Sequence, residues 1–417
     1  MLKSVVVRKT TLILLGVIIF ESILIISLLG IKILRDQKLL QASKEAFLAL
    51  ETQASVLSPR VPGGFSYKPI GDTLKITGKI IAAKDLFEAK IQADNKVVLG
   101  WIPFWDQTAA VASFKKNTSV IDYISLFWYG LRPDGSIRKY IYAVEDTSLI
   151  KYAHSKKVKV LALIANLPDE DDRGDWDSER VDLVISSSSA RIKHIADLVS
   201  LAKKKGFDGI NIDYEALKGY QKDDFTAFIK ELSIALHKNN KLLAVALHPK
   251  VGEGDPEYSN GSQAQDYAQL AKYADQLHLM TYEEHWESSD PGPIASVNWV
   301  KSVLSYAKTM IPTDKLFAGV PLYGYDWPEG DSAEGLTYQA IQSLIKTYKP
   351  KIVWDAATQA NHFTYTVGSN THNVWYEDNA SFTAKLTVFK GLGINSFAFW
   401  RLGREDSRVW TTLHNSP

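Results

Sequence analysis

The stretch Phe207-Asp208-Gly209-Ile210-Asn211-Ile212-Asp213-Tyr214-Glu215 constrains the fold of this chain more than any other. Read with the two-residue period of a strand, Asn211, Asp213 and Glu215 share one face, and Ile210, Ile212 and Tyr214 share the other. The inward positions of a parallel barrel strand are normally filled by Val, Ile or Leu. Three polar residues in succession at such positions break a packing rule, and breaks of that kind mark functional sites. Asp208 is out of phase with the other three and reads as a hydrogen-bond support near the barrel base.

After Lys96, strand-like runs alternate with helical stretches, which is the pattern of a parallel α/β fold. The expected strands are Val97–Phe104, Tyr123–Tyr129, Val158–Ile164, Gly209–Glu215, Leu242–Leu247, Gln276–Tyr282, Leu316–Leu322 and Asn395–Trp400. Helices fit between them, notably Ser189–Lys204 and Asp224–His237, whose apolar residues recur at helical spacing. Eight such units predict an α/β fold of the (β/α)8 TIM-barrel type, with the active site at the carboxyl ends of the strands. Glu215 ends the fourth strand. The seventh connection is too long for a loop, so residues 328–379 are expected to form a small α+β insertion walling the groove, with a helix over Tyr338–Tyr348.

Composition narrows the partners. The 48 basic and 47 acidic residues balance, so nothing points to nucleic acid. The chain has 11 Trp and 19 Tyr; most belong to a core, but a sugar-binding groove also needs flat apolar faces. Cysteine is absent, which excludes disulfides and thiolate sites. No His, Asp or Glu set has a metal-ligand spacing and no phosphate loop is present, so neither metal nor cofactor is expected.

Ahead of the barrel, residues 1–10 form a tail and the apolar run from Thr11 to Ile31 approaches the ~20 residues that span a bilayer. It reads as an uncleaved transmembrane anchor, because it lacks the small-x-small end of a cleaved signal peptide. Lys3, Arg8 and Lys9 on one side face Lys32, Arg35 and Lys38 on the other, so charge does not set its orientation. Residues 32–95 read as a stalk and linker, helical from Arg35 to Leu57, with a short strand or hairpin after Gly71. The barrel unit is expected to occupy 96–417.

The run Asp208-Gly209-Ile210-Asn211-Ile212-Asp213-Tyr214-Glu215 resembles the DxxDxDxE motif of glycoside hydrolase family 18, the chitinase-like glycosidases. Four further segments agree in order: Gly100-Trp101-Ile102-Pro103-Phe104-Trp105, Met280-Thr281-Tyr282-Glu283, Pro321-Leu322-Tyr323-Gly324-Tyr325-Asp326-Trp327, and Phe399-Trp400. The chain looks most like the bacterial spore-cortex-lytic, peptidoglycan N-acetylglucosaminidase branch.

The resemblance implies a retaining, substrate-assisted hydrolysis of β-1,4 bonds in an amino-sugar polysaccharide, peptidoglycan or chitin-like. It assigns Glu215 as the proton donor, Asp213 as the group that orients the 2-acetamido nucleophile, and Tyr282 as its hydrogen-bond partner. Trp400 is placed as the apolar floor. Asn211, Trp101, Trp105, Met280, Glu283, Tyr325 and Asp326 are further substrate-binding candidates, Asp326 toward a sugar hydroxyl or Tyr282. Trp128, Trp286, Glu284 and His285 could also reach the groove, though core packing or surface solvation explains each as well.

Asn211 replaces a commoner Asp and removes one negative charge, so Asp213 is expected to stay ionised to lower pH than in an all-acidic cluster. A membrane-anchored monomer acting outside the cytoplasm is the expected whole. Two rivals are a catalytically silent glycan-binding protein on the same barrel and a tethered scaffold whose insertion binds a protein.

Overall fold

The structure is a computed structural model and describes residues 96–168, 176–253 and 261–416. The anchor expected over Thr11–Ile31 and the stalk and linker over 32–95 lie outside the described residues. Among the described residues, no helix is long and apolar enough to cross a membrane.

Eight parallel strands close into a barrel. They are β1 (Val97–Pro103), β2 (Tyr123–Leu131), β4 (Lys159–Ala165), β5 (Gly209–Asp213), β6 (Leu242–Leu247), β7 (Gln276–Leu279), β8 (Leu316–Pro321) and β14 (Ser396–Trp400). Each pairs with the next in that order, and β1 closes the ring by pairing with both β2 and β14. Every expected strand is present within a few residues of its expected bounds. Two end early: β5 stops at Asp213 and β7 at Leu279. Glu215 and Tyr282 therefore sit just past the ladder, where the chain turns away at the barrel mouth. A short antiparallel strand, β3 (Ile137–Lys139), hangs on the outer end of β2; three residues are too few to show a period.

Helices cover the outside of the barrel. α1 is Gln107–Lys116, α2 Thr147–Ser155, α3 Ser178–Ile185, α4 Ser188–Lys205, α5 Lys222–His237, α6 Tyr267–Tyr273 and α7 Val297–Ala307. The Asp146 carboxylate caps α2 by accepting from the Ser148 and Leu149 amides, and Gly206 ends α4 in the left-handed conformation. Phe225, Phe228, Ile229, Leu232 and Leu236 of α5 are fully buried. Residues at three- and four-residue steps thus form the stripe that packs on the sheet.

Between β8 and β14 the chain builds a second sheet of five antiparallel strands in the order β10-β9-β13-β12-β11. These are β9 (Tyr323–Pro328), β10 (Glu334–Thr337), β11 (Val353–Asp355), β12 (Ala360–Val367) and β13 (Asn370–Tyr376), with α8 (Tyr338–Tyr348) packed on them. Ile341, Phe363, Tyr365, Val374 and Tyr376 form its own small core. The sheet reaches back to Tyr323, so the strand-end motif Tyr323–Trp327 is itself an interior strand of it, between β10 and β13. α9 (Asn379–Gly391) returns the chain to β14, and α10 (Arg408–Asn415) follows.

Candidate active site

β5 separates two environments. Outward, Ile210 and Ile212 are fully buried, and Tyr214 beyond them bonds His194 on α4 through its hydroxyl at 2.7 Å. Inward, Asn211 donates from Nδ2 to the Ser125 hydroxyl of β2 at 3.1 Å. Asp213 points the same way, 6 % exposed, and its Oδ1 has no hydrogen-bond partner among the described residues.

Glu215 is held by its backbone. The Asn166 side chain, one residue past β4, accepts from the Glu215 amide at 2.8 Å and donates to its carbonyl at 2.9 Å. One side-chain amide thus replaces the ladder bonds that ended at Asp213. The following residue, Ala216, adopts a left-handed conformation with φ of 53°, and the chain leaves the barrel.

Tyr282 and Glu283 approach from the end of β7. Thr281 fixes this turn by donating its hydroxyl to the Gly319 carbonyl at 2.6 Å. Gly319 has no side chain because none fits: a Cβ there would lie 2.5 Å from the Leu279 carbonyl oxygen and 2.9 Å from the Tyr282 ring. Glu283 takes φ of 64°, and it lies near enough for its charge to act on both Asp213 and Glu215.

Three carboxylates thus converge, and their protonation follows from burial and mutual repulsion. Burial and then Glu283 push Asp213 up to about 7. Burial, Asp213 and Glu283 together hold Glu215 well above the usual carboxylate range. Glu283 is also raised, chiefly by desolvation, with the neighbouring Tyr323 hydroxyl offsetting part of the effect. Burial and mutual repulsion therefore favour the protonated form of Glu215. Glu283, brought in from beyond β7, places a carboxylate charge beside Asp213 where Asn211 supplies none.

Aromatic residues shape one wall. Trp400, at the end of β14, meets Trp101 edge-on at 5.8 Å and Trp105 at 6.1 Å between ring centroids; its peptide bond to Arg401 is cis. Trp105 is 49 % exposed.

The sequence from residue 101 to 405 matches the description "Glycosyl hydrolases family 18". The chain belongs to that family. Its relatives include the uncharacterized glycosylase YvbX of Bacillus subtilis, 31 % identical over 309 residues, covering 73 % of this chain and 88 % of that protein. The cortical fragment-lytic enzyme of the same organism is 26 % identical over 305 residues, covering 72 % and 68 %. Among solved structures, the spore cortex-lytic enzyme SleL of Bacillus megaterium superposes with a TM-score of 0.68 at 26 % identity, covering 77 % of this chain and 73 % of that one. A class V chitinase from Pseudomonas fluorescens gives 0.70 at 27 %, covering 77 % and 99 %.

Within this family 18 barrel several sequence candidates take other places. Trp101 is 2 % exposed and packs against His278 and Trp400, so it supports the floor from beneath instead of facing sugar. Met280 is buried. Asp326 faces away from Tyr282: its oxygens accept from the Tyr365 hydroxyl and pair with His372 Nδ1 inside the second sheet. Tyr325, its neighbour on β9, points to the opposite face and senses the charges of Glu283 and Glu287. Asp208 lies at the amino end of β5, where it pairs with His154 at 2.8 Å and accepts from the Val160 amide.

Trp128 is buried with its indole on Gln107. Glu284 accepts from the Ser296 amide and hydroxyl at the start of α7, and His285 bonds the Asp290 carbonyl, so both serve their own loop. Trp286 is exposed and donates to Ser288.

Sequence reasoning missed Asn166, Ser125 and His248. Asn166 and His248 each directly follow an apolar strand, β4 and β6, at the barrel end where active sites form; that position was the available signal.

Proposed function

We propose that this family 18 protein hydrolyses β-1,4 bonds of N-acetylglucosamine-containing glycans with retention of configuration and participation of the substrate's own acetamido group. The observation that carries the reading is the placement of Glu215, clamped by Asn166 at the barrel mouth, just beyond the buried Asp213 with its unpartnered Oδ1. A leaving sugar oxygen needs an acid that is still protonated near neutral pH, and the three-carboxylate cluster provides it. As the glycosidic bond breaks, Glu215 gives its proton to the departing oxygen and the acetamido oxygen bonds to the anomeric carbon. The positive charge then developing on the acetamido nitrogen lies against Asp213, whose unpartnered Oδ1 is free to accept its N–H. Ionised Asp213 stabilises that cation. Tyr282, a buried and fully protonated phenol, serves as a donor to the acetamido oxygen, and Trp400 supplies an apolar face for the ring.

The names of the relatives span cortex-lytic and chitin-cutting enzymes, and both polymer types carry N-acetylglucosamine. Peptidoglycan is the substrate favoured here, because cortex-lytic proteins recur among the relatives in both sequence and structure. The same reading tethers the chain by Thr11–Ile31 with the barrel outside the cytoplasm, supported by the length of that apolar run and by where such glycans occur. The test is incubation of the full chain with purified sacculi and, separately, chitin oligomers, each beside Glu215→Gln. Release of reducing ends by wild type alone supports the reading; glycan binding without release by either protein would favour a lectin.

A further inference from the structure

Beyond the residues assigned above, one buried titratable group faces the proton donor and has no stated task. His248 follows β6 directly. Its side chain is 7 % exposed, and its Nε2 lies 3.5 Å from Glu215 Oε2. That nitrogen has no hydrogen-bond partner among the described residues. A buried ring nitrogen left open toward one carboxylate is placed for that carboxylate.

His248 is held through its backbone and covered over its ring. The Gln265 side chain accepts from the His248 amide at 2.7 Å, and the Tyr267 hydroxyl donates to the His248 carbonyl. Gly261, at φ of +112°, closes over the ring: a Cβ there would come within 2.9 Å of His248 Cδ2 and 3.1 Å of the Ala216 amide. The same segment therefore confines both the imidazole and the residue that follows the acid. Lys250, the nearest cation in sequence, is engaged by Glu253 and the Gln265 carbonyl and lies over the Tyr267 ring. Glu215 in turn faces Asp213, Glu283 and Tyr282.

Burial lowers the His248 pKa to about 4, so the ring is neutral through the working range and is a hydrogen-bond donor at one nitrogen only.

We infer that His248 is a positioning residue for Glu215, its neutral ring carrying the hydrogen on Nε2 and donating it to Oε2 once the acid has given up its proton. The inference rests on the proposed role of Glu215. The proton balance is simple. Glu215 loses its proton to the departing sugar oxygen, the His248 N–H stabilises the carboxylate so formed, and the water that resolves the intermediate returns a proton to Glu215. His248 keeps its own proton throughout. The opposite tautomer would accept from Glu215 and compete with the leaving oxygen for the same proton. A donor on this side leaves the other carboxyl oxygen to face the groove.

The test compares full-length wild type, His248→Ala, His248→Gln and Glu215→Gln on a chromogenic N-acetylglucosaminide across pH, with melting curves for each. A hydrogen bond to a charged group corresponds to roughly 10- to 100-fold in rate. We expect His248→Ala to lower kcat by about that factor with little change in KM, and to move the alkaline limb of kcat/KM upward by about one pH unit. His248→Gln, which retains an N–H, should recover part of both. Unchanged kcat and profile in His248→Ala, with Glu215→Gln inactive, would overturn this inference alone. Activity in Glu215→Gln equal to wild type would instead overturn the role of Glu215.

Nitrogen-15 NMR of histidine-labelled wild type needs no variant. A neutral ring protonated at Nε2 from pH 5 to 8 is expected, and a ring protonated at Nδ1 alone contradicts the inference.

Discussion

Asn166 holds both main-chain polar groups of Glu215 with one side chain, accepting from its N–H at 2.8 Å and donating to its carbonyl at 2.9 Å. A third bond, from Asn166 Nδ2 to the Asp177 carbonyl at 3.0 Å, ties the same amide to the start of α3. The acid is therefore positioned by β4, although it follows β5. Asn166→Ala removes three hydrogen bonds to part-buried main-chain groups, at a cost of about 1–3 kcal/mol for each group left unpaired. We expect a lower denaturant midpoint and, in the folded fraction, a kcat reduced more than KM is raised. A kcat equal to wild type would show that the clamp does not position the acid.

Glu283 raises both Asp213 and Glu215. Glu283→Gln removes that charge, so both acids should lose their protons at lower pH and the alkaline limb of kcat/KM should move down. Asn211→Asp does the reverse. It places a new carboxylate at a fully buried site on the same strand face as Asp213, and the limb should move up. Rate profiles of the two variants beside wild type check both signs together.

The same acids make stability pH-dependent. The folded pKa of Asp213, about 7, stands above its ordinary value of 3.8, so between these pH values the folded chain keeps a proton that the unfolded chain releases. Stability falls as pH rises through this window, with a limiting slope of ~1.4 kcal/mol per pH unit for one proton. The contribution is greatest below the unfolded pKa and gone above about 7. Glu215, raised further, extends the fall to higher pH. Asp213→Asn should flatten the first part of the curve, as measured by urea unfolding at about pH 4, 5, 6 and 7.

Gly319→Ala tests the packing behind Tyr282. The new methyl would sit 2.5 Å from a backbone oxygen and 2.9 Å from the Tyr282 ring. Overpacking of this kind costs about 1–3 kcal/mol. A melting temperature reduced together with kcat is expected, since the relief available is to push the phenol away from Asp213.

Much of this architecture was legible because a parallel barrel repeats one signal. Apolar runs such as Leu242–Leu247 and Leu316–Leu322 are bounded by helical stripes, and the polar face of Asn211, Asp213 and Glu215 stands out against them. Residues defined by contacts across the barrel were not legible. Asn166 and His248 are single polar residues at strand ends, and only the closure of the ring brings them to Glu215. Asp326 misled for a related reason. Its motif was read as a strand end on the barrel, whereas the segment is an interior strand of a second sheet, and alternation along it sends Asp326 inward to Tyr365 and His372 and Tyr325 to the other face. Trp101 was placed at the groove by its position in the first strand, but it is a layer below Trp400. Glu283 was visible as a residue, while its effect on Asp213 depends on a left-handed turn that sequence does not announce.

The central claim is that Glu215 delivers the proton that cleaves an N-acetylglucosaminide bond. Its most direct test is mass analysis of products released from purified sacculi, after borohydride reduction, by wild type and Glu215→Gln side by side. Wild type should give new reduced ends on N-acetylglucosamine, and Glu215→Gln none above background. New ends on the alternate sugar, or equal release by the two proteins, would contradict it.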